Sequence, residues 1–137
     1  MEYIGKDDSN IRIGAILGLG IAYAGSQKEE VGTSAYNCVS LPHNLVLSFL
    51  SAVFNFQLKM HLSAVLGDSQ SPLEVLVFSA IALGLVFVGS CNEEIAQSII
   101  FALMERSEAE LAEPIIRLLP VALGLLYLGK QVILSIL

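Results

Sequence analysis

The side chains able to do chemistry in this 137-residue chain are few, and their spacing does not suit catalysis. Cys38 and His43 lie close together, with His61 far along the chain. Neither the spacing nor the ligand number matches a zinc site. Cys91 stands just before Glu93 and Glu94, at what reads as a helix start. A helix N-terminus can lower a thiol pKa, yet no histidine is near in sequence to serve as a base. Cys91 therefore reads as structural, and the two cysteines as free buried thiols of a reducing compartment. Gly14-x-x-x-Gly18 and Gly18-x-Gly20 fall inside a helical pattern, so they mark close packing and no phosphate loop. There is no P-loop, dinucleotide fingerprint or nucleophile elbow in the sequence. The expectation is a protein with no catalytic residue, no metal site and no cofactor.

What the sequence does contain is a repeated frame. From Ser71 to Arg106 it reads as a helix, a glycine stop and a second helix. Ser71, Pro72 and Glu74 suggest a capping box at the start of the first helix, and Gly89 the left-handed residue that ends it. Ser90 or Asn92 then caps the second helix, with Glu93 and Glu94 complementing its dipole. The first helix is apolar on every side and the second is amphipathic. Ile16–Gly25 aligns without gaps with Ala80–Gly89 and with Pro120–Gly129. Glycine returns at two fixed places, as Gly20 and Gly25, Gly84 and Gly89, Gly124 and Gly129, with an aromatic (Tyr23, Phe87, Tyr127) two residues before each closing glycine. A unit recurring in this way is the signature of stacked repeats, and the aromatics read as core. The fold class is all-α, an α-solenoid of helical hairpins.

Composition leaves one rival. The chain is 55% apolar, 15% charged and of mean hydropathy +0.72. Val75 to Cys91 and Val31 to Leu58 are both charge-free, so hydropathy alone would allow a small multi-span membrane protein. Against that, apolar segments with glycines in register alternate with charged ones, and Glu93 to Glu113 holds six glutamates. An inner helix of a solenoid is also apolar all round. The net charge of −6 argues against a nucleic-acid surface and suits a basic partner.

In chain order, Ser9 or Asn10 caps a first inner helix over Ile11–Ala24, and an outer helix begins at Gln27–Glu30. Pro42 and Asn37 interrupt any helix between Val31 and Leu58, and outer-helix character resumes at Leu58–Leu66. The expected organisation is repeat 1 over about 9–68 with an insertion at 31–57, repeat 2 over about 71–112, and half of repeat 3 over about 114–137. Pro114 is expected to open the third inner helix.

The segments 11–26, 73–111 and 118–131 closely resemble the proteasome/cyclosome repeats of the family of 26S proteasome non-ATPase regulatory subunit 2, base scaffolds of the proteasome regulatory particle. The wording VGSCNEE and LYLGKQ is nearest to plant-type members. The resemblance implies a closed α-toroid with a Gly/Ala-rich inner ring and an amphipathic outer ring. It implies no catalytic activity, residence in cytoplasm and nucleus, and contacts with the ATPase ring and other regulatory-particle subunits. It also implies docking of ubiquitin, ubiquitin-like shuttle domains or a deubiquitinase, without nucleic acid or membrane. Carried over by position, Glu94 and Glu105 fall where the family is acidic on an outer helix, three turns apart and so on one face. Both solvation of an outer face and a receptor role suit them. Phe101 between them departs from the family's polar residue.

The other departures share a form. In the family, Glu30 would run almost directly into Leu58. An inserted 31–57 opens on a valine (GT) codon, closes on Gln57 and is in frame, which reads as a retained intron if that codon is CAG. Val132 opens a similar departure at the end. With repeats open at both ends, the chain is expected to be poorly soluble by itself.

Overall fold

The computed structural model describes residues 7–26 and 42–129, for 42–51 the backbone alone. All regular structure among them is helical: α1 (Ser9–Ala22), α2 (Pro42–Leu66), α3 (Leu73–Val86), α4 (Glu93–Met104), α5 (Glu108–Leu111), a 3-10 turn (Pro114–Leu118) and α6 (Leu119–Leu126). The three glycine-bearing helices lie side by side in the order α1, α3, α6. The outer helix α2 packs on α3 and α4 packs on α6, so each outer helix covers the inner helix of the following repeat. This is an α-solenoid of helical hairpins. No helix among the described residues is long and apolar enough to cross a membrane.

The central helix α3 is enclosed. Nine of its fourteen residues are buried, among them Val75, Leu76, Val77, Leu83 and Val86, and they point in every direction around the helix. Burying each such aliphatic side chain contributes about 1.5–3 kcal/mol. Ser79 is buried as well, and its hydroxyl donates to the Val75 carbonyl at 2.7 Å, which removes the cost of an unpaired polar group. The outer helices instead bury one stripe each, Leu58, Leu62 and Leu66 on α2 and Ile95, Ile99 and Ala102 on α4, at the three- and four-residue spacing of an amphipathic helix.

The repeated glycines set the spacing of the inner layer. A Cβ on Gly20 would sit 2.8 Å from Ala82 Cα, and one on Gly84 would sit 2.8 Å from the Ala122 carbonyl oxygen. Ala82 and Ala122 occupy the same repeat position, so one contact is made twice. The closing glycines add a second device. The Gly25 amide donates to the Leu85 carbonyl at 2.9 Å, and the Gly89 amide to the equivalent Leu125 carbonyl at 3.0 Å. Gly25, Gly89 and Gly129 all have positive φ, near 70–78°, the left-handed conformation that costs glycine little.

Several boundaries differ from the sequence expectation. Asp8, not Ser9 or Asn10, caps α1, its carboxylate accepting from the amides of Asn10 and Ile11. The helix ends at Ala22, and turns occupy 23–26. Pro42 does not interrupt a helix but opens one, since its missing N–H lies in a first turn that needs no donor. Helix α2 then runs unbroken through the expected junction at Gln57–Leu58. Part of the expected insertion is well packed: Phe54 stacks on Tyr23 with ring centroids 4.4 Å apart, and buried Asn55 accepts from the Ser26 hydroxyl at 3.1 Å. The expected outer-helix start at 27–30 and the expected departure at 132–137 lie outside the described residues. The third inner helix is α-helical only from Leu119, because Pro120 could not donate within a helix running on from Pro114; 114–118 is a 3-10 turn instead.

The capping box expected at Ser71 is absent, and α3 starts at Leu73 without a side-chain cap. Asp68 has captured Ser71: its carboxylate accepts from the Ser71 hydroxyl at 3.0 Å and from the Gln70 amide at 2.9 Å. A capping box does form at Ser107 and Glu110, opening α5. Hydrogen bonds from the Ser107 amide and hydroxyl, with the Arg106 guanidinium beside them, hold the Glu110 carboxyl below the usual carboxylate range. The Gln70 amide, then the Ser71 hydroxyl, lowers Asp68 in the same way. A carboxylate whose folded pKa lies below its unfolded value stabilises the fold above the ordinary range and loses that contribution as pH falls through it. The midpoint of urea unfolding should therefore drop as pH is lowered through about 4, and Glu110→Gln should flatten that dependence. Both groups face solvent, so the change is modest.

Candidate functional site

Helix α4 presents the surface on which the candidate residues stand. Its entry is fixed by one unusual backbone conformation and three hydrogen bonds. Cys91 takes a positive φ of 55°, unusual for a residue with a side chain, and its amide donates to the Leu126 carbonyl at 3.0 Å. The Asn92 amide donates to the Ser90 hydroxyl, and the Asn92 side chain accepts from the Ile95 amide at 3.2 Å. Of the two caps the sequence allowed, Asn92 is therefore the one used. The Cys91 thiol is free and half-buried.

With Ile95, Ala96, Ile99 and Ala102 turned inward, the opposite face carries Glu94, Phe101, Met104 and Glu105 to the outside. Phe101 is 65% exposed and Met104 76% exposed, an unusual load of apolar surface for one short helix. Beside them lies a cleft of about 300 Å³ lined by Ser63, Leu66 and Gly67 at the end of α2 and by Glu94, Gln97, Ser98, Phe101 and Ala102 of α4. That is the lower limit for a small-molecule site, and it suits one or two inserted side chains better. Ser98 spends its hydroxyl on the Glu94 carbonyl at 2.8 Å, leaving the Ser63 hydroxyl, Gln97 and the Glu94 carboxylate as the polar side chains of the lining.

Glu94 is ion-paired with Lys59 of α2, the lysine side chain largely buried and the carboxylate largely exposed. Such a surface pair is worth between nothing and about 1 kcal/mol, and it keeps the carboxylate turned along the cleft. Glu105 is exposed at the C-cap of α4, where its amide donates to the Phe101 carbonyl at 3.1 Å, and it does not line the cleft. The fold thus brings together Glu94 and Phe101, with Glu105 at the far end of the same helix. Lys59 carries no local signal as a partner, because a pair between successive outer helices has no fixed spacing along the chain. Met104 was legible as the residue one turn beyond Phe101 on an outer helix.

The six repeat glycines (Gly20, Gly25, Gly84, Gly89, Gly124 and Gly129) lie on or at the ends of the inner helices and do not line this cleft. Gly20, Gly84 and Gly89 meet a neighbouring backbone closely, Gly25 makes an ordinary contact with Val88, and Gly124 and Gly129 have nothing within 4 Å. Cys38 lies outside the described residues, as does the side chain of His43. Among the described residues no three His, Cys, Asp or Glu side chains gather as a metal site requires.

No protein-family model matches the chain. Curated relatives do. The chain is 55% identical over 75 residues to 26S proteasome non-ATPase regulatory subunit 2 homolog A of Arabidopsis thaliana, a match covering 55% of this chain and 8% of that protein. It is 35% identical over 130 residues to 26S proteasome non-ATPase regulatory subunit 2 of Dictyostelium discoideum, covering 95% of this chain and 11% of that protein. A third match, 35% over 122 residues, is to 26S proteasome regulatory subunit rpn-1 of Neurospora crassa, covering 88% of this chain and 10% of that protein. The chain thus spans about a tenth of the length of the curated relatives it matches. Over nearly all of its own length, this chain is a homologue of a segment of 26S proteasome non-ATPase regulatory subunit 2.

Proposed function

We propose that the chain is a non-catalytic scaffold segment of the proteasome regulatory-particle base, one arc of an α-toroid, working in cytoplasm and nucleus. Its repeats hold position beside the ATPase ring and other regulatory-particle subunits. The outer face of α4 receives ubiquitin, a ubiquitin-like shuttle domain or a deubiquitinase. The observation that carries the docking role is the composition of that face: exposed Phe101 and Met104 between acidic Glu94 and Glu105. An apolar centre with a charged rim is the form of a protein-binding patch, and an acidic rim selects a basic partner. The relatives' name supports the assignment to the regulatory particle. No nucleic acid or membrane is involved in this role.

Titrating isotope-labelled ubiquitin with the 137-residue chain tests the reading. Residues of ubiquitin's basic, apolar face should shift, and added salt should weaken the effect. Phe101→Ser with Glu105→Lys is expected to raise Kd about tenfold, equivalent to about 1.4 kcal/mol. Unchanged affinity in that variant would remove α4 from the docking role.

A further inference from the structure

The two acidic residues at the ends of the α4 face differ in what they are free to do. Glu105 is exposed and makes no ion pair among the described residues. Glu94, which lines the cleft, is already engaged, its Oε2 accepting from the Lys59 ammonium of α2. The lysine is the anchored member of that pair, with its side chain 17% exposed against 76% for the glutamate. Among the described residues Glu94 is also the one acceptor the Lys59 ammonium has. The contact joins the outer helices of consecutive repeats, so it is made inside the stack and not at its ends.

A basic side chain arriving at Glu94 has two ways to reach the carboxylate, and Lys59 opposes both. If the carboxylate turns outward, the lysine keeps its charge in a largely buried place with no acceptor, which is costly. If the carboxylate stays and offers Oε1, two cations face each other across one carboxylate, and their repulsion offsets the gain. No such competitor stands at Glu105. We propose that Lys59 is a built-in competitor for Glu94, masking the cleft end of the α4 face from a basic partner and leaving Glu105 as its main electrostatic contact. This rests on the docking role given to α4 above and adds a residue of α2 that sets the strength of docking.

Titrating isotope-labelled ubiquitin with Lys59→Met, Lys59→Arg, Glu94→Gln and the Lys59→Met/Glu94→Gln form of the 137-residue chain tests this. Methionine keeps an apolar stem and deletes the ammonium. Lys59→Met should lower Kd about threefold, the scale of one exposed ion pair, and steepen its dependence on salt. Lys59→Arg should hold Kd close to that of the unmodified chain, because a cation still competes. With Glu94→Gln in place, Lys59→Met should have little effect, since no carboxylate is left to release. Should Lys59→Met lose helical ellipticity, Lys59→Gln removes the same charge. A Kd that Lys59→Met leaves unchanged or raises would overturn the proposal, and a raised one would make Lys59 a residue that positions Glu94. An equal gain with and without Glu94 would also overturn it, reducing Lys59 to a repelling charge. Absence of binding by every form would remove the docking role itself, and the masking with it.

Discussion

Gly84→Ala is expected to destabilise the chain by about 2 kcal/mol, while Gly124→Ala, at the same repeat position, stabilises it by up to about 1 kcal/mol. Alanine is the better helix former at either place, by roughly 1 kcal/mol. What differs is the neighbour. At Gly84 the new methyl would lie 2.8 Å from the Ala122 carbonyl oxygen, 3.3 Å from Ala122 Cα and 3.3 Å from Leu125 Cβ. Two of those atoms are backbone and cannot rotate aside, so α6 must move away from α3. That movement also stretches the Gly89–Leu125 and Cys91–Leu126 hydrogen bonds, both 3.0 Å, which join the same two repeats. Overpacking of this kind costs about 1–3 kcal/mol, and the loss of aligned bonds takes it to the upper end before the helical gain is subtracted. Gly20→Ala should behave like Gly84→Ala, since it meets Ala82 Cα at 2.8 Å. Urea unfolding of the three variants, read as midpoints at constant slope, checks the sign pattern. A uniform gain from all three would mean that the glycines do not set the inner-layer spacing.

That sign pattern also explains which parts of the fold were legible from residues alone. The glycine pairs, their aromatics and the closing left-handed turns recur because each repeat makes the same contact with the next, so spacing along the chain maps onto spacing in space. The site was only partly legible. Glu94 and Phe101 could be placed on one outer helix by turn counting, but the cleft between them and α2 needed the position of Ser63, Leu66 and Gly67. Helix starts were read less well, and for one reason. A capping signal names a residue able to cap, and competition decides which one does. Asp8 displaces Ser9 and Asn10, and Asp68 takes the Ser71 hydroxyl that a cap would have used. At Pro42 a breaker became an opener, since the same missing N–H that disrupts a helix interior is harmless in its first turn. The pairing of Phe54 with Tyr23 and of Asn55 with Ser26 had no sequence signal either, because those partners stand far apart along the chain.

Arg106 is the clearest case of a long-range contact hidden in the sequence, and removing its charge should be the most damaging polar substitution among the described residues. Its side chain is 5% exposed, and the guanidinium donates to the carbonyls of Asp68 (3.2 Å), Ser69 (3.3 Å) and Ser71 (3.3 Å) and to the Glu110 carboxylate (3.1 Å). Those carbonyls belong to the turn joining α2 to α3, 35 to 38 residues earlier, so one residue after α4 staples the preceding connector. The Asp68 carbonyl also accepts from the Ser71 amide at 3.1 Å. The Ser69 and Ser71 carbonyls, however, lose a partner with the guanidinium, and a buried carbonyl left unpaired costs about 1–3 kcal/mol. Arg106→Met keeps the apolar stem and deletes the fork; the expected loss is about 3 kcal/mol, less than the summed bonds because water can reach part of the turn. Arg106→Lys restores the charge at a single point and should recover less than half of it, since one ammonium cannot reach carbonyls arranged for a planar fork. Glu110→Gln should cost less than either, because the carbonyl contacts survive it. Equal stability of the Lys and Arg forms would show that charge alone, and not the fork, holds the connector in place.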